Sequence, residues 1–327
     1  MAEQRKKAVF MVCYFGKLPN YFPLWVKTAQ TNTSFDFYIF TDQTPRISDN
    51  SNVHIFPMTF AQMQERIKAK LGNGFVIRTP YKLCDYKVAY GLLFEEYISA
   101  YPFWGFCDID TLLGDLDYFI TDEVLDHYDK LFRHGHMILM RNTEKMRRLF
   151  LEQYENVMDY RFAYSTNHVT HFDESATVAY AQRFDKSIRH YAGGCFLDSI
   201  WNSYTLRKYP DPEEKICVWK DGKLLMYWFS QGELMQEELM YLHLQKRTMS
   251  VKKKSGEDVI VARRNELIMD DHADISEYLA EPVDPTAEAA FAELQKQKRK
   301  KDVKMNIKSG ALKTRLYLLK HRSLIRD

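Results

Sequence analysis

The sequence predicts an α/β fold in which a mostly parallel sheet is flanked by helices. Along residues 8–110, apolar segments of strand length alternate with segments whose apolar residues recur at helical intervals, which is typical of repeated βα units. The first apolar stretch, residues 8–13, contains no polar residue, as expected for a strand buried on both faces. Of the 327 residues, 46% are hydrophobic and 28% are charged, a balance that excludes a wholly disordered chain.

The elements of the first third follow from local patterns. Thr59 and Gln62 have the spacing of a capping box, and Gly72 predicts the end of the same helix. The predicted elements are, in order, a strand at 8–13, a helix at 22–29, strands at 35–40 and 53–57, helices at 59–72 and 83–98, and a strand ending in FCDID at 106–110.

After Asp115 the alternation weakens, and the region at 159–199 is expected to consist of loops with short helices. The remaining predicted elements are a strand at 136–141, a helix from Thr143 through Met158, a hairpin with Asp221-Gly222 as its type I′ turn, and a hairpin at 249–269 that turns at 254–256. We therefore divide the chain into a body, residues 1–285, and a C-terminal extension, residues 286–327. Within the body, the halves meet at about residue 142.

The extension is strongly basic. Residues 296–327 carry 12 Lys and Arg against 2 Asp and Glu, whereas the preceding part carries 34 against 42. Leu312, Leu316 and Leu319 recur at helical spacing, so a basic amphipathic helix that binds an anionic membrane surface is expected. A solvated or partner-packed helix is the alternative. Nucleic acid is disfavoured as a partner, because the body is acidic and residues 296–327 contain only one Phe, Tyr or Trp residue, Tyr317.

Several classes of protein are excluded or disfavoured. No run of 18 apolar residues occurs, which argues against a membrane-spanning helix. The five cysteines are scattered and lack CxxC spacing, so neither a disulfide framework nor a zinc site is expected, and a cytoplasmic location is favoured. The chain has neither a GxGxxG motif nor a phosphate-binding P-loop, which disfavours dinucleotide dehydrogenases and P-loop NTPases.

Asp108 and Asp110 are the clearest candidates for chemistry. Both follow an apolar strand, and side chains two apart on a strand point to the same side. The carboxyl ends of parallel strands border the ligand crevice of an open sheet, and paired carboxylates there suit Mg²⁺ or Mn²⁺ bound to a phosphate. A chance DxD pair at the end of a strand is the alternative.

Further residues indicate a nucleotide. Asp42 ends the second strand, where an acid can accept hydrogen bonds from a base or ribose, although a turn acid is equally compatible. Lys82, Asp85 and Lys87 begin the predicted helix at 83–98, and a cation at a helix N-terminus is not explained by the helix dipole. Two explanations stay open: the cations position a diphosphate, or they lie on a solvated face of the helix.

Five segments together resemble a bacterial glycosyltransferase family with the GT-A (Rossmann-like) fold, which is found among capsule, O-antigen and exopolysaccharide genes and is DUF6625-like. They are YFGKLPNYFPLW, FDFYIFTD, PYKLCDYKVAYGLLFEEY, YPFWGFCDIDTLLGDL and YLHLQKR, within residues 8–250. The resemblance implies a sugar-nucleotide donor, most often UDP-linked, and a divalent cation held by the DxD motif.

The resemblance also implies roles for particular residues. Asp108, Asp110 and His243 would hold the cation, with Mn²⁺ preferred over Mg²⁺ because of the imidazole. Asp108 and Lys246 would also contact the donor. The loop of Tyr14, Phe15 and Gly16, together with Asp42, Lys82 and Asp85, would line the donor site. Without the resemblance, His243 is interpreted as a core or hairpin histidine.

An inverting reaction would require a base for the acceptor hydroxyl. Asp173 and Glu174 are the first candidates, Glu237 and Glu238 are the rivals, and a retaining reaction would need none of them. Gly193 and Gly194 could bring backbone close to the sugar, or could form a plain turn. Trp104 is a second-choice sugar contact, because an aromatic ring within an apolar strand usually belongs to the core.

The predicted function is therefore a metal-dependent glycosyltransferase that moves a sugar from a nucleoside diphosphate donor to a glycan acceptor carried on a lipid. It would be cytoplasmic and peripheral on the inner face of the plasma membrane. Two alternatives stay open: a nucleotidyltransferase that makes a sugar nucleotide, and a non-catalytic scaffold of the polysaccharide machinery. The lone Gly16 argues against the first, since such enzymes carry a glycine-rich phosphate loop after the first strand.

Overall fold

We analysed a computed structural model of the protein, which describes residues 5–48, 51–75, 77–208 and 210–308. The strands in these ranges are, in chain order, β1 Ala8–Tyr14, β2 Phe35–Thr41, β3 Val53–Pro57, β4 Phe103–Cys107, β5 Thr111–Leu113, β6 Lys130–Leu131, β7 Met137–Arg141, β8 His190–Tyr191, β9 Phe196–Asp198, β10 Ile216–Lys220, β11 Lys223–Ser230, β12 Glu233–Leu239, β13 Tyr241–His243, β14 Ser250–Lys253, β15 Val259–Arg263 and β16 Glu266–Met269.

The α-helices in the same ranges are α1 Phe22–Gln30, α2 Phe60–Leu71, α3 Tyr90–Leu93, α4 Glu95–Ile98, α5 Leu116–Phe119, α6 Asp122–His127, α7 Glu144–Arg148, α8 Tyr160–Ser165, α9 Phe172–Ser175, α10 Thr177–Phe184, α11 Ile275–Ala280 and α12 Pro285–Lys308. Two 3₁₀ helices accompany them, Pro80–Ala89 and Leu149–Leu151. Helices flank several sheets, so the predicted α/β class is confirmed.

The largest sheet has the order β3-β2-β1-β4-β7-β6-β8. Strand β1 is central and pairs in parallel with both β2 and β4, and β2 pairs in parallel with β3. The first four residues of β1 are fully buried, as its uninterrupted apolar sequence predicts. In this register Tyr14 is paired with Thr41 and Met11 with Phe106, so the loops that follow β1, β2 and β4 emerge at one edge of the sheet.

A second sheet, β12-β11-β10-β15-β16-β14, is built mostly from antiparallel pairs. The predicted Asp221-Gly222 turn joins β10 to β11, with positive φ at both residues. The predicted hairpin across residues 254–256 is wrong: β14 pairs in parallel with β16, and the hairpin joins β15 to β16. Strand β15 is buried throughout and lies inside the sheet, whereas the lysine-rich β14 lies at its edge.

A small third sheet, β5-β13-β9, determines the geometry of the site. Strand β13 is antiparallel to β5 and parallel to β9, which places His243 opposite both Thr111 and Asp198. The leucines at its centre, Leu112, Leu197 and Leu242, are fully buried in one hydrophobic cluster. This cluster anchors the segment after β4 beside a much later part of the chain.

The capping box of Thr59 and Gln62 and the stop at Gly72 are confirmed. The single helix predicted at 83–98 is wrong, because the 3₁₀ helix Pro80–Ala89 is followed by the separate helices α3 and α4. This segment is buried nearly all round, and at Gly91 a β-carbon would lie 2.3 Å from the Trp104 ring. Tertiary packing therefore overrides the helical pattern.

The helix predicted from Thr143 to Met158 begins as expected, since the Thr143 side chain accepts a hydrogen bond from the Met146 N–H. It ends much earlier, however, because α7 stops at Arg148 and the 3₁₀ helix that follows stops at Leu151. Positive φ at Asn156 is incompatible with its continuation.

Helix α12 begins the C-terminal extension and is mostly exposed, with Phe291 buried against Tyr204 at a ring distance of 5.8 Å. Leu312, Leu316 and Leu319 of the predicted basic tail lie outside the described residues. Among the residues that the structure describes, no helix combines the length and the apolar character needed to cross a bilayer.

Candidate active site

A cleft of about 680 Å³ opens at the carboxyl ends of β1 and β4. Its size lies in the range of about 300–1,000 Å³ that is usual for small-molecule sites. Four segments of the chain line it: the loop after β1, the 3₁₀ helix Pro80–Ala89, the connection from β4 to β5, and the turn after β13. Their main side chains in the cleft are Tyr14, Phe15, Tyr21, Tyr81, Lys87, Asp108, Asp110 and Lys246.

Asp108 and Asp110 both line this cleft, although β4 ends at Cys107 and the two acids lie on the bend before β5. Asp110 is only 5% exposed. Its Oδ2 accepts a hydrogen bond from the Lys246 backbone N–H at 2.7 Å, and its carbonyl accepts one from Leu244 N–H at 2.7 Å. These bonds fix the carboxylate against the turn that follows β13.

His243 lies on β13 with its Nε2 3.4 Å from Asp110 Oδ2. The donor atoms of Asp108, Asp110 and His243 all lie within 4.8 Å of one another. His243 Nε2 is buried and has no hydrogen-bond partner among the described residues. Two carboxylates and one imidazole form a donor set that fits a divalent cation such as Mn²⁺. The structure thus brings the three predicted metal ligands together.

The charges of this cluster are strongly coupled. Burial alone would lower the pKa of His243, but the carboxylate of Asp110 and a hydrogen bond to Asp198 raise it to about 10. Burial alone would raise the pKa of Asp110, but His243 and Lys246 hold it below its usual range. Each of these two side chains therefore favours the charged form of the other, against the effect of burial.

Lys87 lies between Asp108 in the cleft and Asp173 of α9. Its Nζ lies 2.6 Å from Asp108 Oδ1 and 3.5 Å from Asp173 Oδ2, and it donates a hydrogen bond to the Gly135 carbonyl at 2.9 Å. Burial alone would lower the pKa of Lys87, but the two carboxylates raise it well above its ordinary value. The sequence signal for Lys87 was a cation near the start of a predicted helix, and nothing in the pattern linked it to Asp108 or Asp173.

Lys82 and Asp85, both expected to contact the donor, are not brought to the cleft. Both side chains are fully buried, and Lys82 Nζ lies 2.5 Å from Asp85 Oδ2. Lys82 also donates to the carbonyls of Ala163 and His168, and the Asp85 carboxylate accepts from the N–H groups of Thr170 and Phe172. The pair thereby fastens the loop before α9 to the 3₁₀ helix.

The loop after β1 lies at the cleft. Tyr14 and Phe15 line the cleft, and Gly16 has a φ of 98°, which a glycine adopts readily. The Gly16 N–H donates to Asp42 Oδ1 at 2.9 Å, so Asp42 supports this loop from the end of β2. The Asp42 carboxylate is exposed and does not line the cleft itself.

The predicted bases differ in their surroundings. Asp173 is 3% exposed, and burial raises the pKa of its carboxyl to about 7. The absence of a side chain at Gly135 leaves room for this carboxyl, because a β-carbon at position 135 would lie 2.4 Å from Asp173 Oδ2. Glu174, by contrast, is exposed. The rivals Glu237 and Glu238 lie on β12 in the second sheet, where Glu237 accepts a hydrogen bond from the Cys195 thiol at 2.7 Å.

Two other predicted sugar contacts, Trp104 and Gly193, contribute to packing and do not line the cleft. Trp104 is fully buried in the core, and its position in β4 explains why it does not reach the cleft. At Gly193 a β-carbon would lie 2.3 Å from the Tyr191 ring, so this glycine is needed for local packing. Arg247 lines the cleft, and its guanidinium donates to the Ile200 carbonyl at 2.7 Å.

Two residues near His243 were missed by the sequence analysis. Asp198 Oδ1 lies 3.0 Å from His243 Nδ1, and the His136 ring stacks on the His243 ring with centroids 4.4 Å apart. The only signal for Asp198 was an acid at the end of a short apolar stretch. No pattern linked either residue to His243, because only the pairing of β9 with β13 brings Asp198 there.

Comparison with known families gives one match. The model of a family of unknown function, DUF6625, matches residues 10–271, so the chain belongs to that family. Among curated proteins, none is significantly similar to the chain. The matched region includes all three sheets except the beginning of β1, together with the cleft and its Asp108, Asp110 and His243 cluster.

Proposed function

We propose that this member of DUF6625 is a metal-dependent glycosyltransferase with a GT-A-type fold, which transfers a sugar from a nucleoside diphosphate donor, UDP by preference, to a surface-polysaccharide acceptor. The observation that supports it most directly is the cluster of Asp108, Asp110 and His243 in a cleft at the carboxyl edge of the parallel strands. The buried Nε2 of His243 faces Asp110 Oδ2 across 3.4 Å without a hydrogen bond, which supports a cation that completes this cluster.

The cleft supports a nucleotide donor by its position and its lining. In open α/β sheets, ligands bind beyond the carboxyl ends of the strands. The aromatic rings of Tyr14, Phe15 and Tyr81 offer apolar surface for a base and a ribose. Lys246, whose ammonium lies 4.3 Å from the centre of the Tyr81 ring, supplies positive charge for a diphosphate.

In this proposal, Asp110 and His243 hold the cation, Mn²⁺ or alternatively Mg²⁺, and Asp108 contributes to the same cluster while it is paired with Lys87. The bound cation would neutralise the departing diphosphate. Lys246, which is exposed, and Lys87, which is buried, add fixed positive charge around that group, and burial strengthens the effect of Lys87.

The acceptor side is proposed to lie toward α9. If the reaction inverts the anomeric centre, Glu174 is the better placed of the two predicted bases, because it is exposed whereas Asp173 is enclosed beside Lys87. Asp173 then holds Lys87 in position. The acceptor itself is proposed to be a lipid-linked glycan, which the enzyme would reach from the inner face of the plasma membrane with its basic extension.

The proposal is tested by incubating the purified protein with a panel of UDP-sugars, Mn²⁺ and a lipid-linked acceptor, followed by mass spectrometry of the acceptor. We expect a mass increase of one sugar and release of UDP, both abolished by Asp110→Ala. Tight binding of a UDP-sugar without release of UDP would favour the scaffold. Release of pyrophosphate from a nucleoside triphosphate and a sugar phosphate would favour the nucleotidyltransferase.

A further inference from the structure

His243 is held from both sides by carboxylates. Its Nδ1 lies 3.0 Å from Asp198 Oδ1, and its Nε2 lies 3.4 Å from Asp110 Oδ2. The first contact is built into the sheet, because the parallel pairing of β9 with β13 places His243 directly opposite Asp198. When Nδ1 carries the proton that it donates to Asp198, the lone pair of a neutral imidazole lies on Nε2, on the Asp110 side.

Asp198 is itself restrained. The side-chain amide of Gln245 donates to the same Oδ1. Gln245 and Lys246 both have left-handed φ values, 56° and 53°, and this turn also brings the Lys246 N–H to Asp110. One short segment therefore fixes the carboxylates on both sides of the His243 ring.

A second set of possible metal ligands contains His136, Asp198 and His243, whose donor atoms also lie within 4.8 Å of one another. In this set, however, one nitrogen of each imidazole already has a protein partner. His136 Nδ1 lies 2.7 Å from the Tyr241 hydroxyl, and His243 Nδ1 faces Asp198. The unpartnered His243 Nε2 belongs instead to the cluster with Asp108 and Asp110. Asp198 thus orients the imidazole and is not needed as a ligand.

We propose that Asp198 is a positioning residue that holds the Nδ1–H of His243 and so presents Nε2 to a divalent cation bound with Asp108 and Asp110. This inference rests on the metal site of the proposed function, but it does not depend on the identity of the sugar. Carboxylates that accept the second N–H of a metal-binding histidine fix its tautomer and increase its basicity, and their loss weakens metal affinity by about 10–100-fold.

The test is the dissociation constant for Mn²⁺, measured on the full chain by electron paramagnetic resonance of free Mn²⁺, with Mg²⁺ affinity measured by competition. Asp198→Ala should weaken Mn²⁺ binding by about 10–100-fold and should weaken Mg²⁺ binding much less, because imidazole contributes more to binding Mn²⁺ than to binding Mg²⁺. Asp198→Asn should lose less, since its amide oxygen still accepts the Nδ1–H.

Ser199→Ala is the matched control. Ser199 is buried next to Asp198, and its hydroxyl donates to the His243 backbone carbonyl at 3.2 Å and not to the imidazole, so Mn²⁺ affinity should stay unchanged. Circular dichroism checks that each variant is folded. Two results would overturn the positioning role alone. The first is an Mn²⁺ affinity of Asp198→Ala equal to that of the unaltered protein. The second is an equal loss of Mn²⁺ and Mg²⁺ affinity in Asp198→Ala, with Asp198→Asn losing as much as Asp198→Ala. Absence of Mn²⁺ binding by the unaltered protein would overturn the metal site and the proposed function with it.

Discussion

The ammonium of Lys87 lies 2.6 Å from the Asp108 carboxylate, and both side chains are largely buried. The contact connects the 3₁₀ helix Pro80–Ala89 with the acid that follows β4. Asp173 approaches the same ammonium to 3.5 Å, so one cation lies between the donor cleft and the predicted acceptor side. Removing either partner of a buried pair leaves an uncompensated charge, and this makes the contact testable.

Lys87→Met should lower the free energy of unfolding by about 3–5 kcal/mol, as expected when one partner of a buried ion pair is removed. The reason is that Asp108 loses its nearest cation. Urea unfolding at pH 7 measures the change. Adding Asp108→Asn to Lys87→Met should recover part of the loss, since it removes the unpaired charge. If the loss of stability in the double variant equals the sum of the losses in Lys87→Met and Asp108→Asn, the two residues are not energetically coupled.

Asp110→Asn should abolish the thermal stabilisation by UDP with Mn²⁺ and reduce sugar transfer by at least 100-fold, about 2.7 kcal/mol of transition-state stabilisation. The amide is a poor metal ligand and leaves His243 without its charged partner. Thermal-shift curves with UDP, GDP and CMP, each with and without Mn²⁺, provide the measurement. Asp122→Asn, an exposed carboxylate of α6, is the control. Stabilisation of the Asp110 variant equal to that of the parent would contradict the proposed site.

The pair Lys82–Asp85 should be important for stability and not for donor contact. Lys82→Met should cost about 3–5 kcal/mol of unfolding free energy, because it leaves the fully buried Asp85 carboxylate unpaired. The matched control is Lys70→Met, which breaks an ion pair with Glu95 of similar length, 2.6 Å, near the surface and should cost no more than about 1 kcal/mol. Similar losses in the two variants would contradict this assignment.

Lys130 should make stability depend on pH. Burial lowers the pKa of its ammonium from 10.5 to about 7, although Nζ still donates to the Ala179 carbonyl at 3.1 Å. Between these values the unfolded chain holds a proton that the folded protein has lost. Unfolding free energy should therefore rise with pH, with this group contributing up to about 1.4 kcal/mol per pH unit.

The comparison variant is Lys130→Met, measured by urea unfolding at pH 7, 8 and 9. Arg133 and His190 lie near Lys130 and are present in both proteins. Their contributions to the pH dependence of stability therefore largely cancel when the variant is compared with the parent. The variant should lack the contribution of Lys130, so its stability relative to the parent should decline steadily as the pH rises. Parallel stability curves for the two proteins would argue against a depressed pKa at this lysine.

The basic extension should carry the affinity for membranes. The middle of α12 carries a cluster of exposed basic residues, Lys296, Lys298, Arg299, Lys300 and Lys301. Reversing the last four to Glu should reduce sedimentation with anionic liposomes by at least tenfold, since each basic residue near such a surface contributes about 1 kcal/mol. UDP binding should be unaffected. Sedimentation of the variant at the level of the parent would exclude this surface as the contact.

The amino-acid sequence alone determined the elements whose signals are local. The uninterrupted apolar sequence of β1 predicts a central strand, the spacing of Thr59 and Gln62 predicts the start of α2, and Asp221-Gly222 predicts the turn of one hairpin. The acids after β4 are likewise visible as a local pattern. These features depend on neighbours within a few residues, so that periodicity and turn chemistry are enough to specify them.

The tertiary structure alone decided which charged groups meet. Lys82, Asp85 and Lys87 look equivalent in the sequence, yet packing encloses the first two as a buried pair and places only Lys87 beside Asp108. His243 reaches Asp110 and Asp198 because the small sheet joins segments that are distant in the chain. Such contacts depend on strand pairing across long loops, and this pairing is chosen by the burial of the whole core and not by any local pattern.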